Sequence, residues 1–519
     1  MDIQQGRTLD GIVARLPQAY PGPGGAVAVV QQGRVLVRHA WGMADPARRL
    51  PFTTETVVPV CSVTKQFTCA LMLALHGDAA ALDGDVRAAL PGLAGPVPTA
   101  AQLAANQSGI RDYWALTVLC GADPEGVFTP ADAAAMTAAV RSLQFAPGTR
   151  YAYSNLNFRI LGDILERRAG LPLGELLADR ILAPAGMETA RWQPDTSLPL
   201  PGGAVGHEGT AATGFFPAVN RIQWSGDAGL CATLEDMIAW ERQIDRTRDD
   251  PASLYARLSA PVAFGDGRPA RYGMGLARTP VLGRIVTGHG GALRGWRIRR
   301  LHVAAARLSV VVLFNHDHDA HAAALSVLAA ALGVPEPSWP SDGDAADHAG
   351  NWFDAETGLV LTARAEGGRV LARFGGAEAA LAPAAGGIAR SLDMTLRRQG
   401  DDLHLDRPGD NLGRALTRLD RPQAVDLAGR YRSDELDATL DIDSFGGVYH
   451  AGFTGRLGQG AWKPLQPAGG ECWIMPDPRA MDSAPPGAWT LRLRREGGRV
   501  AGVTAGCYIA RGVDFRRIG

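Results

Sequence analysis

The sequence predicts an α+β chain in which one helix-and-strand domain is followed by two small antiparallel β-barrel domains. Three observations carry that prediction. Helical and strand-like periods interleave as far as residue 334, a Pro-rich polar stretch follows, and beyond it helical periodicity stops. Within the β-rich part a motif returns: Ala349-Gly350-Asn351-Trp352-Phe353 recurs 79 positions later as Ala428-Gly429-Arg430-Tyr431-Arg432. Such a repeat marks two copies of one kind of unit. The expected layout is a first domain over 1–334, a linker over 335–347, and β-domains over 348–420 and 421–519.

In the first domain, residues 25–30 and 34–41 are apolar, β-rich runs around Gln32-Gly33 and read as a hairpin. Residues 62–76 are apolar nearly all round, which marks a buried helix. Residues 155–168 place Leu156, Ile160, Leu161, Ile164 and Leu165 at helical spacing. Thr233, with Asp236 three positions on, resembles a capping box opening a further helix. Residues 308–314 read as a strand and 322–332 as a closing helix, so the domain should hold a mainly antiparallel sheet.

The linker begins Pro335-Glu336-Pro337 and is polar throughout. After it, Gly-Gly pairs at 367–368, 375–376, 446–447 and 497–498 separate alternating strands. Small barrels are expected because closure removes exposed edges. One connection is too long for a hairpin, whose loops usually run about 2–5 residues. Between strands expected at 471–475 and 489–493 lies the loop 476–488, which holds four prolines. It reads either as a variable surface loop or as a functional one.

Composition limits the function. The 519 residues carry 52 basic and 53 acidic side chains, a net charge of −1, so no nucleic-acid or membrane partner is expected. The six cysteines are scattered without CxxC pairs, which points to reduced thiols and to no zinc or disulfide frame. The N-terminus lacks the basic-then-apolar order of an export signal, and a cytoplasmic protein is expected. Of the 52 basic residues only Lys65 and Lys463 are lysine. That contrast singles out Lys65, since a buried lysine can lose its proton where arginine cannot.

Ser62-Val63-Thr64-Lys65 opens the buried helix. Residues three apart share a helix face, so hydroxyl and amine can approach each other. The helix N-terminus offers N–H groups to an oxyanion. Tyr153-Ser154-Asn155 precedes the helix at 155–168. Tyr153 could relay a proton if nearby cations lowered its pKa, and Asn155 could hold Lys65 and substrate by its amide. Gly288-His289-Gly290-Gly291-Ala292 falls between β-runs at 281–287 and 296–302. Its glycines would let a substrate lie against the strand, and His289 could donate to the substrate or to Tyr153. His316-Asp317-His318-Asp319-Ala320-His321 imitates a zinc motif, but Ala320 stands where a carboxylate belongs; no metal and no cofactor are expected.

The ordered trio S-x-x-K, Y-x-N and H-x-G resembles the penicillin-recognising serine hydrolases, with similar stretches at Gln107-Ser108-Gly109-Ile110, Phe145-Ala146-Pro147-Gly148, Pro184-Ala185-Gly186-Met187 and Asp227-Ala228-Gly229-Leu230. The resemblance implies a β-lactamase/transpeptidase-like catalytic domain. With two appended β-domains, the chain is similar to the branch that releases N-terminal D-residues, chiefly D-Ala, from peptides, amides and esters. That likeness implies Ser62 as nucleophile, Lys65 as its base, and Tyr153 and His289 as proton-handling partners. It also implies Asn155, Gly290, Gly291 and Ala292 against the substrate, with the N–H groups of Ser62 and Ala292 as oxyanion donors. Asp482, carried by the loop 476–488 into the cleft, would meet the substrate's ammonium, and a homodimer is implied. A β-lactamase, a DD-carboxypeptidase or esterase, and a ligand-sensing protein are the rival readings.

Overall fold

The computed structural model describes residues 8–420, 426–476, 478–482 and 486–519. The expected joint near 420–425 lies outside this set beyond residue 420, as do residues 1–7, Asp477 and residues 483–485 of the long loop.

An eight-stranded sheet forms the centre of the first domain. Its strands are β1 (Gly24–Gln31), β2 (Arg34–Asp45), β3 (Leu50–Pro51), β4 (Tyr272–Gly273), β5 (Leu276–Val281), β6 (Arg284–Leu293), β7 (Trp296–Val303) and β8 (Leu308–Phe314). In space they run β3-β2-β1-β8-β7-β6-β5-β4, every neighbouring pair antiparallel. The expected first hairpin is β1–β2; Gln32 and Gly33 both take positive φ, 52° and 73°, as a tight two-residue hairpin turn requires. The first and last strands of this sheet in chain order meet at its middle, where β1 pairs β8.

Helices cover both faces of the sheet. Val27, Val29, Val310 and Val312 pack against α1 (Leu9–Ala19) and α6 (Ala320–Leu332), while Ala26, Ala28, Val311 and Leu313 face the opposite helical layer. Burial on both faces explains why β1 and β8 read as unbroken apolar runs and not as alternation. The second layer contains α2 (Thr64–His76), α3 (Tyr113–Leu119), α4 (Asn155–Ala169) and α5 (Leu234–Arg246). The capping box expected at Thr233 and Asp236 opens α5. No helix among the described residues is long and apolar enough to cross a membrane.

The β-rich part differs between its two units. Eight strands from Gly350–Asp354 to Leu412–Arg418 form a closed antiparallel barrel around Trp352, Leu361, Leu396 and Leu405. The second unit is a ten-stranded sheet, a half-barrel, whose main path runs from Gly458–Gln459 to Gln466–Gly469. Its two ends are tied by the chain itself: Lys463–Pro464 pairs with Val448–Gly455, Leu465 N donates to the Tyr449 carbonyl at 2.7 Å, and Gln466 begins the strand at the other end of the path.

Candidate active site

Ser62 does not lie on α2 itself but in the short 3₁₀ turn Cys61–Val63 that leads into it. Cys61, just before it, holds φ 51° although it is not glycine, a left-handed conformation costing about 1–3 kcal/mol. Lys65 is fully buried. Its Nζ lies 2.9 Å from Ser62 Oγ, 2.7 Å from Asn155 Oδ1 and 2.8 Å from the Asp227 carbonyl oxygen. The last two atoms can only accept hydrogen bonds. A neutral amine therefore spends its two N–H bonds on them and turns its lone pair to the Ser62 hydroxyl. Burial pulls the Lys65 pKa down to about 8, against the opposing pull of Asp227, Asp112 and Asp482.

A chain of polar groups keeps Asn155 in that orientation. Asp112 Oδ2 accepts from Asn155 N at 2.6 Å and from Asn155 Nδ2 at 2.8 Å, which turns the amide oxygen toward Lys65. Asp112 also caps α3 by accepting from Ala115 N at 3.1 Å. Asp227 accepts from Tyr113 Oη at 2.8 Å and from Ser225 N at 2.9 Å. The half-barrel grips this loop from outside. Asp112 N donates to the Ile509 carbonyl at 3.0 Å, and Arg111 donates to the carbonyls of Arg511 and Gly512 and pairs with Glu435 at 3.1 Å.

Tyr153 shares the cleft with Ser62, whose hydroxyl acts on the phenol, and Lys65 Nζ sits 5.0 Å from its ring centre. The condition set for Tyr153, a pKa lowered by nearby cations, is not met. Burial outweighs every neighbouring charge and pushes the phenol well above its usual value, so it stays protonated. His289 differs from expectation too. It lies inside β6, and its Nε2 meets Tyr272 Oη at 2.8 Å, so the expected donation to Tyr153 is absent. Its Nδ1 donates to the Gly290 carbonyl at 2.5 Å, which leaves Nε2 to accept from the Tyr272 hydroxyl. Burial drops the His289 pKa to about 3, so the ring is neutral.

The cleft follows a half-open strand. β5 covers β6 only as far as Gly288, opposite Ala277. Two-residue turns close β5–β6 and β6–β7, at Val281–Arg284 and Leu293–Trp296. Alternation then directs the N–H groups of odd-numbered β6 residues to β7 and of even-numbered ones to the β5 side. Beyond Gly288 those of Gly290 and Ala292 point off a free edge. Gly291 brings that edge onto the Ser62 turn, where a Cβ would stand 2.3 Å from the Val60 carbonyl oxygen. Ser62, Tyr153, Asn155, His289, Gly290, Gly291, Ala292 and Asp482 all line one cleft of about 510 Å³.

Residues 9–334 match the family described as Beta-lactamase, and residues 342–516 match D-aminopeptidase, domain B. A protein of Brucella ovis named D-aminopeptidase is 49% identical over 514 residues, covering 98% of this chain and 99% of the relative. One of the same name from Brucella anthropi is 48% identical over 512 residues, covering 98% of each chain. The chain belongs to the D-aminopeptidase branch of the β-lactamase family. Among solved structures, the octameric penicillin-binding protein homologue from Pyrococcus abyssi shares its fold, with a TM-score of 0.56, 19% identity, and coverage of 88% of this chain and 99% of that one. The D-amino acid amidase from Ochrobactrum anthropi SV3, complexed with D-phenylalanine, does so with a TM-score of 0.52 and 19% identity, covering 63% of this chain and 98% of that one.

Within this D-aminopeptidase-branch chain, sequence reasoning overlooked Asp112, Asp227 and Tyr272 as the groups that orient Asn155, Lys65 and His289. Asp227 stood inside the quoted Asp227-Ala228-Gly229-Leu230 stretch, so a signal existed for it. Asp112 and Tyr272 carried none. The segment 316–321 forms no metal cage: among the described residues no three His, Cys, Asp or Glu side chains converge. His316 instead stacks on Phe314 at 4.6 Å, while Asp317, Asp319 and His321 join the far wall of the cleft.

Proposed function

We propose that this chain is a D-stereospecific aminopeptidase that releases N-terminal D-residues, chiefly D-alanine, from peptides, amides and esters through an acyl-enzyme. The observation that carries the reading is Asp482 lining the same cleft as Ser62. A carboxylate there repels substrate carboxylates and attracts an α-ammonium, which favours an aminopeptidase over a β-lactamase, carboxypeptidase or esterase on this scaffold.

The neutral Lys65 amine takes the Ser62 proton as Oγ bonds to the substrate carbonyl carbon. The resulting oxyanion sits between the N–H groups of Ser62 and Ala292, the latter on the free edge of β6. Tyr153, protonated and in the same cleft as Ser62, gives its proton to the leaving amine as the C–N bond breaks, and Lys65 returns the proton to Tyr153. Water then attacks the ester carbon, passes its proton to Lys65, and the D-amino acid departs as Ser62 Oγ is reprotonated. Asn155 holds Lys65, Gly290 and Gly291 leave room for the substrate along the strand, and neutral His289 braces the cleft through Tyr272. The reading includes a cytoplasmic homodimer, which light scattering of the purified protein tests.

Hydrolysis of D-Ala-p-nitroanilide tests the chemistry. Ser62→Ala and Lys65→Ala should each reduce it by about 10³-fold or more, with folding intact by circular dichroism. N-acetyl-D-Ala-p-nitroanilide should be a poor substrate of the wild type. Substantial activity in either variant sinks the mechanism, and equal turnover of the acetylated compound sinks the aminopeptidase assignment. Stoichiometric labelling by a β-lactam without any turnover would favour the sensor reading instead.

A further inference from the structure

We propose that Arg294 is a specificity-determining positioning residue: from the β6–β7 turn it clamps the long loop of the half-barrel and so sets the Asp482 carboxylate against a substrate's α-ammonium. This rests on the aminopeptidase reading and adds how the first domain makes a side chain of another unit part of its own cleft.

The loop arrives from outside, so its seat has to be supplied by the first domain. Pro478, Ala480 and Met481 are buried there, while Arg479 is exposed. Met481 joins the apolar core beside Gly126, where a Cβ would stand 3.5 Å from the Met481 Cε. Apolar burial is non-directional and does not aim the neighbouring Asp482. Arg294 supplies the direction. Its N donates to the Asp482 carbonyl at 3.3 Å, and its Nη2 donates to the Met481 carbonyl at 2.9 Å and to the Pro124 carbonyl. Two consecutive carbonyls of the loop and one of the first domain are thus gathered on one side chain and its backbone. The other polar tie, Arg479 to Glu208 at 2.6 Å, lies at the exposed rim, where an ion pair contributes little.

Arg294 is itself fixed. Its carbonyl accepts from Asn220 Nδ2 at 3.0 Å, and Gly295 N beside it donates to Asp317 at 3.1 Å. It also stands two positions after Ala292, whose N–H serves the oxyanion. A single carbon separates the ammonium from the carbonyl of an aminoacyl group, so carboxylate and oxyanion donor need a fixed mutual register. One hairpin turn that carries both provides it. Stability alone does not account for an arginine here. Its buried Nε and Nη1 have no hydrogen-bond partner among the described residues, and an apolar side chain would fill such a site at less cost.

The test measures kcat and KM for D-Ala-p-nitroanilide and its N-acetyl form in the wild type, Arg294→Met, Arg294→Lys, Asp482→Asn and the double variant Arg294→Met/Asp482→Asn. Arg294→Met, which keeps a long side chain without donors, should raise KM for the free amine by about tenfold and leave kcat within about twofold. The acetylated substrate should change by less than about twofold. Arg294→Lys, which keeps a charged donor, should raise KM by only about threefold. Beside Asp482→Asn, the Arg294→Met change should cost less than about twofold, because the group it positions is gone. An equal loss on both substrates, or a loss that persists in full beside Asp482→Asn, overturns the clamp and leaves the aminopeptidase reading intact. If Arg294→Met does not fold by circular dichroism, the same cycle built on Arg294→Lys decides. Equal turnover of the two substrates by the wild type overturns that reading and the clamp with it.

Discussion

The two β-units begin with the same motif, burying Trp352 in one and Tyr431 in the other, and each pairs its first strand with its last. In the closed barrel all eight strands have both neighbours, so its contacts with the first domain are made by loops, such as Asp410 accepting from Tyr151 N at 3.3 Å. The half-barrel sends two pieces of chain to the site. Its turn near Ile509 and its Glu435 brace the loop that carries Asp112, and its long connection brings Asp482 to the cleft.

The widest gap between the units should appear at Asp482. Replacing it by Asn should lower kcat/KM for D-Ala-p-nitroanilide by about 30-fold, the loss of one charged contact. The N-acetyl substrate should change by less than about twofold; an equal loss on both substrates would deny the half-barrel any part in amine recognition.

The pH profile sharpens the same point. Lys65 works as the amine, so with a pKa of about 8 its active fraction grows as pH rises. The saturated rate should increase by about tenfold from pH ~7 to ~9. The substrate's own ammonium, with an ordinary pKa of about 7.7–8.0, is lost over the same range. The profile of kcat/KM should therefore be bell-shaped in the wild type and lose its falling limb in Asp482→Asn. A saturated rate that falls as pH rises would rule out a neutral Lys65.

A smaller contrast comes from one substitution in each unit's sphere. Arg111→Ala cuts the tie between the half-barrel and the Asp112 loop and should lower kcat by about fivefold, roughly 1 kcal/mol of lost positioning. Trp352→Ala empties the core of the closed barrel. It should cost about 3–5 kcal/mol of stability, read by thermal unfolding, yet leave kcat within about twofold below the transition. Equal effects on kcat would erase the functional difference between the units.

Much of this was legible in the chain. The β1–β2 hairpin, α2, α4 and the capped start of α5 follow from local periods and turn residues, and each lies where those signals put it. Ser62 and Lys65 were legible because three residues on a helical turn bring side chains together without help from elsewhere. Tyr153 and His289 were legible as residues but not in their states. Whether a phenol or imidazole titrates depends on burial by distant elements, and that burial holds both groups neutral. How the second β-unit joins its ends was not legible either, since the two-residue strand 463–464 that pairs with Val448–Gly455 carries no alternation of its own.

The sequence by itself determined the elements and the Ser62–Lys65 contact, products of spacing within a few residues, and, through its repeat, the two-unit β architecture. Tertiary structure decided the rest: Asn155 reaches Lys65 across 90 positions of chain, Arg111 meets Glu435 across 324, and Arg294 holds the Met481 carbonyl across 187. Those relations arise where separate elements pack, and packing brings together atoms whose distance along the chain carries no signal.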